Sequence, residues 1–347
     1  MYSLTDIEAF LKQGPKMKLV FPEGNEKKIQ MVAKELVNKK IAIPWLLFET
    51  KSQVPQDLNG MIKFLTMEDI DLKPFVTDFM ALRGSKTTFE QAQALMKNRA
   101  YLGAMLCQNG QVDGMVCGLT FTTAETLRPA LQIIKTQPGL SLASSAMILR
   151  RENENYLFTD CALNVVPNPQ QLATIAKLGA QFANELGITK PEVALLSYST
   201  KGSGFGPQVD NVQEAAKILA KDPSVDFVFD GEIQFDAAFD KNIRLKKAPE
   251  TKITKNHPDI FVFPDLQSGN IGYKIAQRLA NFKAAGPFIL GLNKPVNDLS
   301  RGAELADIYE TALITAFQAQ QTKQVAKNSP HLEDESQQES GCQQRSS

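Results

Sequence analysis

The feature that most constrains this chain is a regular alternation of short apolar runs with longer amphipathic stretches. The runs are apolar at consecutive positions, and they cover residues 18–22, 114–119, 156–161, 193–199, 226–231, 260–265 and 288–292. Strands with two apolar faces are buried on both sides, as in a mostly parallel sheet that carries helices on each face. The sequence therefore predicts an α/β fold.

The stretches between the runs carry helix start and stop signals. Asn168 suits an N-cap, Pro169 suits the first helical turn, and Gly187 suits a left-handed exit. Between them the apolar residues repeat on one face. We therefore expect a helix from Pro169 to just before Gly187.

Length and charge limit the classes of function. A chain of 347 residues with 43% apolar residues can bury a sizeable core, and we expect two domains. Lys plus Arg and Asp plus Glu both number 38, so a net charge of zero gives no reason to expect nucleic acid or an anionic membrane as a partner. No apolar run approaches the ~20 residues that span a bilayer.

Cysteine and histidine usage bears on location and on metals. The N-terminal residues lack the uninterrupted apolar core of a signal peptide, and the four cysteines are scattered without a CxxC pair. We therefore expect a cytoplasmic protein. Two histidines and no HExxH pattern give no basis for a zinc hydrolase or a histidine-based triad.

A glycine-rich segment, "TKGSGFG", follows the run at 193–199. Its glycines let the main chain turn several N–H groups toward one point, where an oxyanion or phosphate would fit. A plain tight turn explains the same glycines equally well. The candidate donors are Ser199, Thr200, Gly202, Ser203 and Gly204.

Polar residues crowd around Pro295 in "NKPVNDLSRGAELAD" at 293–307. If Ser300 caps a helix that starts at Arg301, then Ser300 and Asp307 share one face with Cα atoms about 10 Å apart. They would then bracket a small ligand. In the alternative, Ser300 only caps and Asp307 is only solvated. Residues 325–347 are polar and rich in Gln and Ser, so we expect a disordered tail.

Seven blocks resemble one known family. They are "VFPEGNEKKI", "TLRPALQIIKTQPG", "FTDCALNVVPN", "LLSYSTKGSGFG", "DGEIQFDAA", "FPDLQSGNIGYKIAQR" and "GPFILGLNKPVNDLSRGA". In this order they look like the phosphate acetyltransferases of the phosphate acetyl/butyryl transferase family, over about residues 17–321.

This resemblance implies a fold and a reaction. The fold would be two three-layer α/β domains like those of isocitrate and isopropylmalate dehydrogenases, with the site in the interdomain cleft and a homodimer as the assembly. Domain one would cover 1–140 and 293–324, and domain two would be the inserted segment 141–292. The reaction would be acetyl-CoA + phosphate = acetyl phosphate + CoA, with these small molecules as the only partners and with no metal or other cofactor.

The resemblance also assigns roles to residues. Asp307 matches the family's general base, and Ser300 and Arg301 match the residues that stabilise the transition state. Residues expected to bind CoA or phosphate are Arg128, Arg278, Arg83, the 199–204 donors named above, Asn293 and Lys294.

The chemistry of acyl transfer suits these residue types. A thiol with a pKa of about 8.5 loses its proton more readily beside a carboxylate base. An ordinary Asp pKa of about 3.9 makes a weak base, so we expect Asp307 to lie in a dehydrated cleft that raises its pKa. A hydroxyl and a guanidinium stabilise the carbonyl oxygen as it gains negative charge, which suits Ser300 and Arg301.

Three alternatives stay open on the sequence. One is a phosphate butyryltransferase that acts on longer acyl-CoA. Another is a non-catalytic module that binds CoA or acyl phosphate for regulation. The third is a dehydrogenase with the same fold, for which we find neither acidic metal ligands nor a nucleotide site.

Overall fold

A computed structural model describes residues 1–58 and 60–328. The helices are α1 (Leu4–Gln13), α2 (Lys27–Asn38), α3 (Lys73–Arg83), α4 (Phe89–Met96), α5 (Arg99–Gln108), α6 (Thr123–Pro129), α7 (Pro169–Glu185), α8 (Pro207–Lys221), α9 (Phe235–Phe239), α10 (Lys241–Lys247), α11 (Leu266–Leu279) and α12 (Leu305–Asn328). The strands are β1 (Met17–Phe21), β2 (Ala42–Phe48), β3 (Lys63–Thr66), β4 (Gly114–Cys117), β5 (Ser144–Arg151), β6 (Glu154–Thr159), β7 (Glu192–Leu196), β8 (Val228–Ile233), β9 (Ile260–Val262), β10 (Lys283–Leu290) and β11 (Val296–Asp298).

The strands form two sheets. Sheet one has the order β11-β4-β1-β2-β3 and is parallel throughout. Sheet two has the order β10-β5-β6-β9-β7-β8, in which β5 runs antiparallel to both of its neighbours and the remaining pairs are parallel. The predicted α/β class with mostly parallel sheets is confirmed, although β5 departs from it.

Each sheet is the middle of three layers. In sheet one, alternate residues pack into two different apolar clusters: Leu19 and Phe21 face α2 and α12, whereas Val20 faces α3 and α5. In sheet two, α7 and α8 cover one face, and a cluster of Phe side chains near α9 and α11 covers the other. The cluster on the α12 side of sheet one continues to α7, so one core joins both sheets.

Sheet one takes its strands from 17–117 and 296–298, and sheet two takes its strands from 144–290. The predicted domain limits at 140/141 and 292/293 fall between these sets of strands, and the division itself stays a prediction. Helix α12 extends to Asn328, four residues beyond the predicted end of the fold. The rest of the predicted tail, 329–347, lies outside the described residues.

Two helix predictions had different outcomes. Helix α7 is confirmed, with Asn168 accepting from the Gln171 N–H at 2.9 Å and Gly187 at φ +81°. The helix expected from Arg301 is wrong at its start, because α12 begins only at Leu305. The Asp307 carboxylate accepts from the Glu304 N–H at 2.9 Å, which sets the start of the helix there and leaves Ser300 in the preceding turn.

Asn297 connects the two sheets through α12. Its buried carboxamide oxygen accepts from the Ile289 N–H of β10 at 2.8 Å. Its amide nitrogen donates to Thr315 at 2.8 Å and to Gln318 at 2.7 Å, both on α12. A single side chain in sheet one therefore binds the last strand of sheet two and the final helix.

Replacing Asn297 by Ala is expected to lower the free energy of unfolding by about 1–3 kcal/mol, because three buried polar partners lose their hydrogen bond. Urea unfolding followed by circular dichroism measures the change. Asn109→Ala is the matched control, since its exposed amide donates to Asp78 at the surface. Equal stability of the two variants would show that Asn297 does not hold the sheets together.

Candidate active site

A cleft of about 750 Å³ lies between residues that follow strands of sheet one and residues of sheet two and α11. Sheet one contributes residues that follow β4 and β11, namely Gly118, Phe121, Thr123 and the segment 298–301. Sheet two contributes Cys161 and Ala162 after β6, part of β10, and one face of α11. The cleft thus collects the carboxyl ends of parallel strands, where α/β proteins commonly place ligands.

Glu23 fixes the loop that forms one wall of the cleft. This fully buried carboxylate accepts from the N–H groups of Gly118 at 2.9 Å and Leu119 at 3.1 Å. It also accepts from the N–H and hydroxyl groups of Thr120 and from the Phe121 N–H. The sequence analysis missed Glu23, although an acidic residue just after an apolar strand, in "VFPEG", is a usable signal.

Asp298 ends β11 and lies at the floor of the cleft, where it is 2% exposed. Its Oδ2 accepts from the Thr123 hydroxyl at 2.8 Å. Its Oδ1 has no hydrogen-bond partner among the described residues. Gly118, at φ +111°, leaves room for this oxygen, because a Cβ there would overlap Oδ1.

Burial raises the pKa of Asp298 to about 6. The Thr123 hydroxyl and the Arg301 guanidinium oppose this change, and the Glu23 carboxylate adds to it. The Thr126 hydroxyl also favours the ionised form of Asp298, although no hydrogen bond joins the two groups. Asp298 therefore exchanges its proton near neutral pH, and the sequence analysis did not single it out as a site residue.

Ser300 and Arg301 follow Asp298 and line the same cleft. Both are exposed, and the Ser300 hydroxyl accepts weakly from the Gly302 N–H at 3.4 Å. Hydrogen bonds from Thr122 lower the pKa of Glu125, and the guanidinium of Arg301 lowers it further. The structure thus places two of the three predicted catalytic residues together at the cleft.

Asp307 lies in the first turn of α12, does not line the cleft, and is exposed. The expectation of a dehydrated environment for this carboxylate is therefore wrong, because one of its oxygens caps α12 at the surface. Ser300 and Asp307 also do not share a helix face as predicted, because Ser300 precedes the start of α12 at Leu305. The role of Asp307 as a base stays a prediction.

The predicted arginines fall into two places. Arg83 and Arg128 both oppose the rise in the pKa of Tyr101 that burial causes, so both guanidinium groups lie near that phenol. Arg128 also acts on Glu125, as Arg301 does, but neither Arg83 nor Arg128 lines the cleft. Arg278 lies elsewhere, exposed in the last turn of α11.

The face of α11 toward the cleft supplies other polar groups. Gln267, Asn270, Tyr273, Lys274 and Gln277 line it, and Lys274 is exposed. The sequence analysis missed Lys274 because a single lysine on an amphipathic helix resembles any solvated residue.

The main-chain N–H groups of the 199–204 loop donate to side chains of the protein itself. The Gly202 N–H donates to the buried Glu232 carboxylate at 2.7 Å, and the Gly204 N–H donates to the Ser199 hydroxyl at 2.9 Å. The Thr200 N–H donates to the Ser203 hydroxyl at 2.9 Å. None of these residues lines the cleft, so the plain-turn alternative accounts for the described hydrogen bonds, while anion binding there stays a prediction.

Asn293 and Lys294 lie in the connection that returns the chain to sheet one. Asn293 donates to the Ile134 and Thr136 carbonyls, both at 2.9 Å, and so fastens the connection to the end of the short π-helix Ala130–Ile134, which continues α6. Lys294 is half-buried and acts electrostatically on Cys107. Neither residue lines the cleft, and their substrate contacts stay predictions.

The described residues contain neither a metal-binding cluster nor a membrane-spanning helix. Within 1–58 and 60–328, no group of three or more His, Cys, Asp or Glu side chains is placed to hold a metal ion. No helix in that part of the chain is long and apolar enough to cross a membrane.

Comparison with known proteins shows extensive similarity. The family model "Phosphate acetyl/butaryl transferase" matches residues 5–316. A "Phosphate acetyltransferase" of Mycoplasma capricolum subsp. capricolum is 50% identical over 320 residues, which are 91% of this chain and 99% of the relative. A phosphotransacetylase structure from Streptococcus pyogenes superposes with a TM-score of 0.85 at 43% identity, covering 92% of this chain and 99% of that one.

The fold likeness extends further than the sequence likeness. A 4-hydroxythreonine-4-phosphate dehydrogenase from Klebsiella pneumoniae has a TM-score of 0.51 at 14% identity, covering 88% of this chain and 98% of that one. Because the identity is so low, this similarity concerns the fold alone. It agrees with the dehydrogenase-like architecture expected from the sequence.

Asp298→Asn is expected to gain stability relative to the wild type as pH rises from 4 to 7.5. The folded-state pKa of about 6 exceeds the ordinary 3.8, so the wild type loses stability across that interval while the variant does not. At about 1.4 kcal/mol per pKa unit, the difference in unfolding free energy changes by about 1–3 kcal/mol. Urea unfolding at both pH values measures it.

Asp222→Asn is the control for that experiment. The Lys177 ammonium lowers the pKa of Asp222 below the ordinary 3.8, so the stability that this carboxyl contributes changes mainly below pH 4. The difference between this variant and the wild type should therefore stay nearly constant from pH 4 to 7.5. A difference between wild type and Asp298→Asn that does not depend on pH would contradict the burial of an ionisable group at position 298.

Proposed function

Because the chain belongs to the phosphate acetyl/butyryl transferase family, we propose that its cleft carries out the reversible reaction acetyl-CoA + phosphate = acetyl phosphate + CoA. The observation that carries this proposal is the placement of Ser300 and Arg301 on the wall of a cleft of about 750 Å³, facing α11. A hydroxyl and a guanidinium side by side suit the negative charge that acyl transfer places on a carbonyl oxygen.

The anionic parts of the substrates need positive charge. Arg301 lines the cleft, and the guanidinium groups of Arg301 and Arg128 both act electrostatically on Glu125. Forked guanidinium groups bind phosphate oxygens in pairs, so we assign the phosphate to this side of the cleft. Lys274 on the facing wall and Arg278 beyond it would bind the phosphates of CoA. This arrangement holds both substrates at once, as direct transfer requires.

Asp307 is our proposed general base toward the thiol of CoA. It follows the turn that carries Ser300 and Arg301, and its capping bond to the Glu304 N–H fixes its position. Because Asp307 is exposed at the surface, the sulfur would approach from the outer side of that turn. The proposed reaction uses no metal and no other cofactor, and we place it in the cytoplasm, where CoA and reduced thiols occur together.

We also propose a homodimer that forms through α11. Ile271, Ile275 and Leu279 are at least half exposed on this helix. Ile275 borders a groove of about 460 Å³ whose lining is almost entirely apolar, including Phe235, Phe239 and Phe263. Exposed apolar patches of this kind mark interaction sites in soluble proteins. A second copy of the chain would cover the patch.

Phosphate-dependent release of CoA thiol from acetyl-CoA tests the reaction and its centre. We expect Ser300→Ala and Asp307→Asn to lower kcat about a hundredfold or more, the scale of oxyanion and general-base contributions. Asp6→Asn is the matched control, because Asp6 occupies the same capping position in α1 and accepts from the Ser3 N–H at 2.9 Å. Its activity should equal that of the wild type.

The outcomes of this assay separate the alternatives. Absence of wild-type turnover would favour a binding module, and faster release from butyryl-CoA than from acetyl-CoA would favour the longer-chain activity. Wild-type turnover that neither Ser300→Ala nor Asp307→Asn slows would keep the reaction and reject the assigned centre.

Ile275→Glu is expected to convert the dimer to a monomer, because a charge would then be buried against an apolar surface without a partner. Light scattering coupled to size-exclusion chromatography measures the mass. Met31→Glu, which changes an equally exposed apolar residue on α2, is expected to keep the dimer. A monomeric wild type would refute the proposed assembly.

A further inference from the structure

Several buried carboxylates lie at the carboxyl ends of strands, and most of them hold loops in place. Glu23 accepts from four consecutive N–H groups, those of residues 118–121. Asp160 accepts from the N–H groups of residues 162–164. Glu232 accepts from the Gly202 N–H and the Ser199 hydroxyl. Each of these three groups has a structural use for its charge.

Asp298 differs from them in its partners. Among the described residues it accepts from no main-chain N–H, and its single hydrogen bond comes from the Thr123 hydroxyl at 2.8 Å. Thr123 is exposed and lines the cleft, whereas the carboxyl beneath it is almost completely buried. A substrate in the cleft can therefore reach the exposed hydroxyl directly, whereas only 2% of Asp298 is exposed on the cleft floor.

The proposed reaction needs a second proton transfer. When CoA attacks acetyl phosphate, the thiol loses a proton and the departing phosphate oxygen must gain one, because it would otherwise leave as a trianion. In the opposite direction, hydrogen phosphate must give up that proton as it attacks the acetyl group. A base at the thiol supplies only one of these two steps.

We propose that Thr123 and Asp298 together carry the proton to and from the phosphate oxygen, with Thr123 touching the substrate and Asp298 acting through it. This inference rests on the proposed function and adds a proton route on the phosphate side of the cleft. It is separate from the base assigned to the thiol.

In the direction of acetyl-CoA, one proton leaves the thiol and another reaches the departing phosphate oxygen. The thiol gives its proton to Asp307, the S–C bond forms, and the C–O bond to phosphate breaks. The leaving oxygen takes the Thr123 hydroxyl proton while Asp298 gives its own proton to Thr123 and becomes a carboxylate. A hydroxyl both donates and accepts, so the same contact works in reverse. Exchange with solvent then restores Asp298 and Asp307.

The surroundings of Asp298 suit a group that changes its protonation during turnover. Burial and the Glu23 carboxylate favour the neutral acid, whereas Thr123 and the Arg301 guanidinium favour the carboxylate. Cys117, the neighbouring thiol on β4, stays protonated because burial raises its pKa. With a pKa of about 6, Asp298 is available in both forms near neutral pH.

Kinetics in both directions as a function of pH test this route. In the wild type, formation of acetyl-CoA should fall as pH rises through about 6, because the acid form is needed. Formation of acetyl phosphate should fall as pH decreases through the same value. We expect Asp298→Asn and Thr123→Val to lower kcat about a hundredfold in both directions. These two pH-dependent declines are the limbs of the rate profiles, and both limbs should be absent in Asp298→Asn.

Thr123→Ser is the matched control, since it keeps a hydroxyl and should retain both limbs with kcat within about threefold of the wild type. Thr174→Val removes a hydroxyl bonded to a main-chain carbonyl of α7 and controls for the substitution itself. Thermal unfolding identifies any variant that fails to fold.

Wild-type turnover together with unchanged pH limbs in Asp298→Asn would overturn the proton route and leave the proposed function intact. Loss of the limbs in Thr123→Ser would also overturn it, because the hydroxyl is then not what matters. Absence of turnover in the wild type would reject the proposed function and this inference together.

Discussion

The cleft depends on the hydrogen bonds that the buried Glu23 carboxylate accepts. A buried charge is unfavourable unless several donors compensate it, and the N–H groups of residues 118–121 do so here. The same bonds set the path of the chain after β4. They place Gly118 against Asp298 and start α6 where Thr123 reaches that carboxyl. One compensated charge thus positions the residues on both sides of the proposed proton route.

The short strand β11 links the packing of the molecule to its chemistry. Successive side chains of a strand point to opposite faces, so Asn297 and Asp298 serve different layers. Asn297 binds β10 and α12, and Asp298 faces α6 and the cleft. Any shift of β11 that weakened the junction of the two sheets would therefore also move the cleft floor and the turn that carries Ser300 and Arg301.

The sequence predicted elements where local signals and tertiary packing agree. Helix α7 has a capping residue, a first-turn proline and an exit glycine, and it forms as expected. Strand β2 was missed because Pro44 lies within it, although the parallel sheet accommodates this residue opposite Leu19. Strands β3 and β11 were missed because only two of the four residues in "KFLT" and one of the three in "VND" are apolar.

The sequence by itself determined the α/β class, the family, and the grouping of Ser300 with Arg301, because these depend on local patterns and on residues adjacent in the chain. Only the tertiary structure decided which polar groups lose contact with water. Asp298 and Asp307 are the same residue type nine positions apart, yet one is buried beneath the cleft and the other caps a helix in solvent. That difference comes from Gly118, Thr123 and Glu23, which are distant in sequence, and burial by distant residues leaves no trace in local spacing.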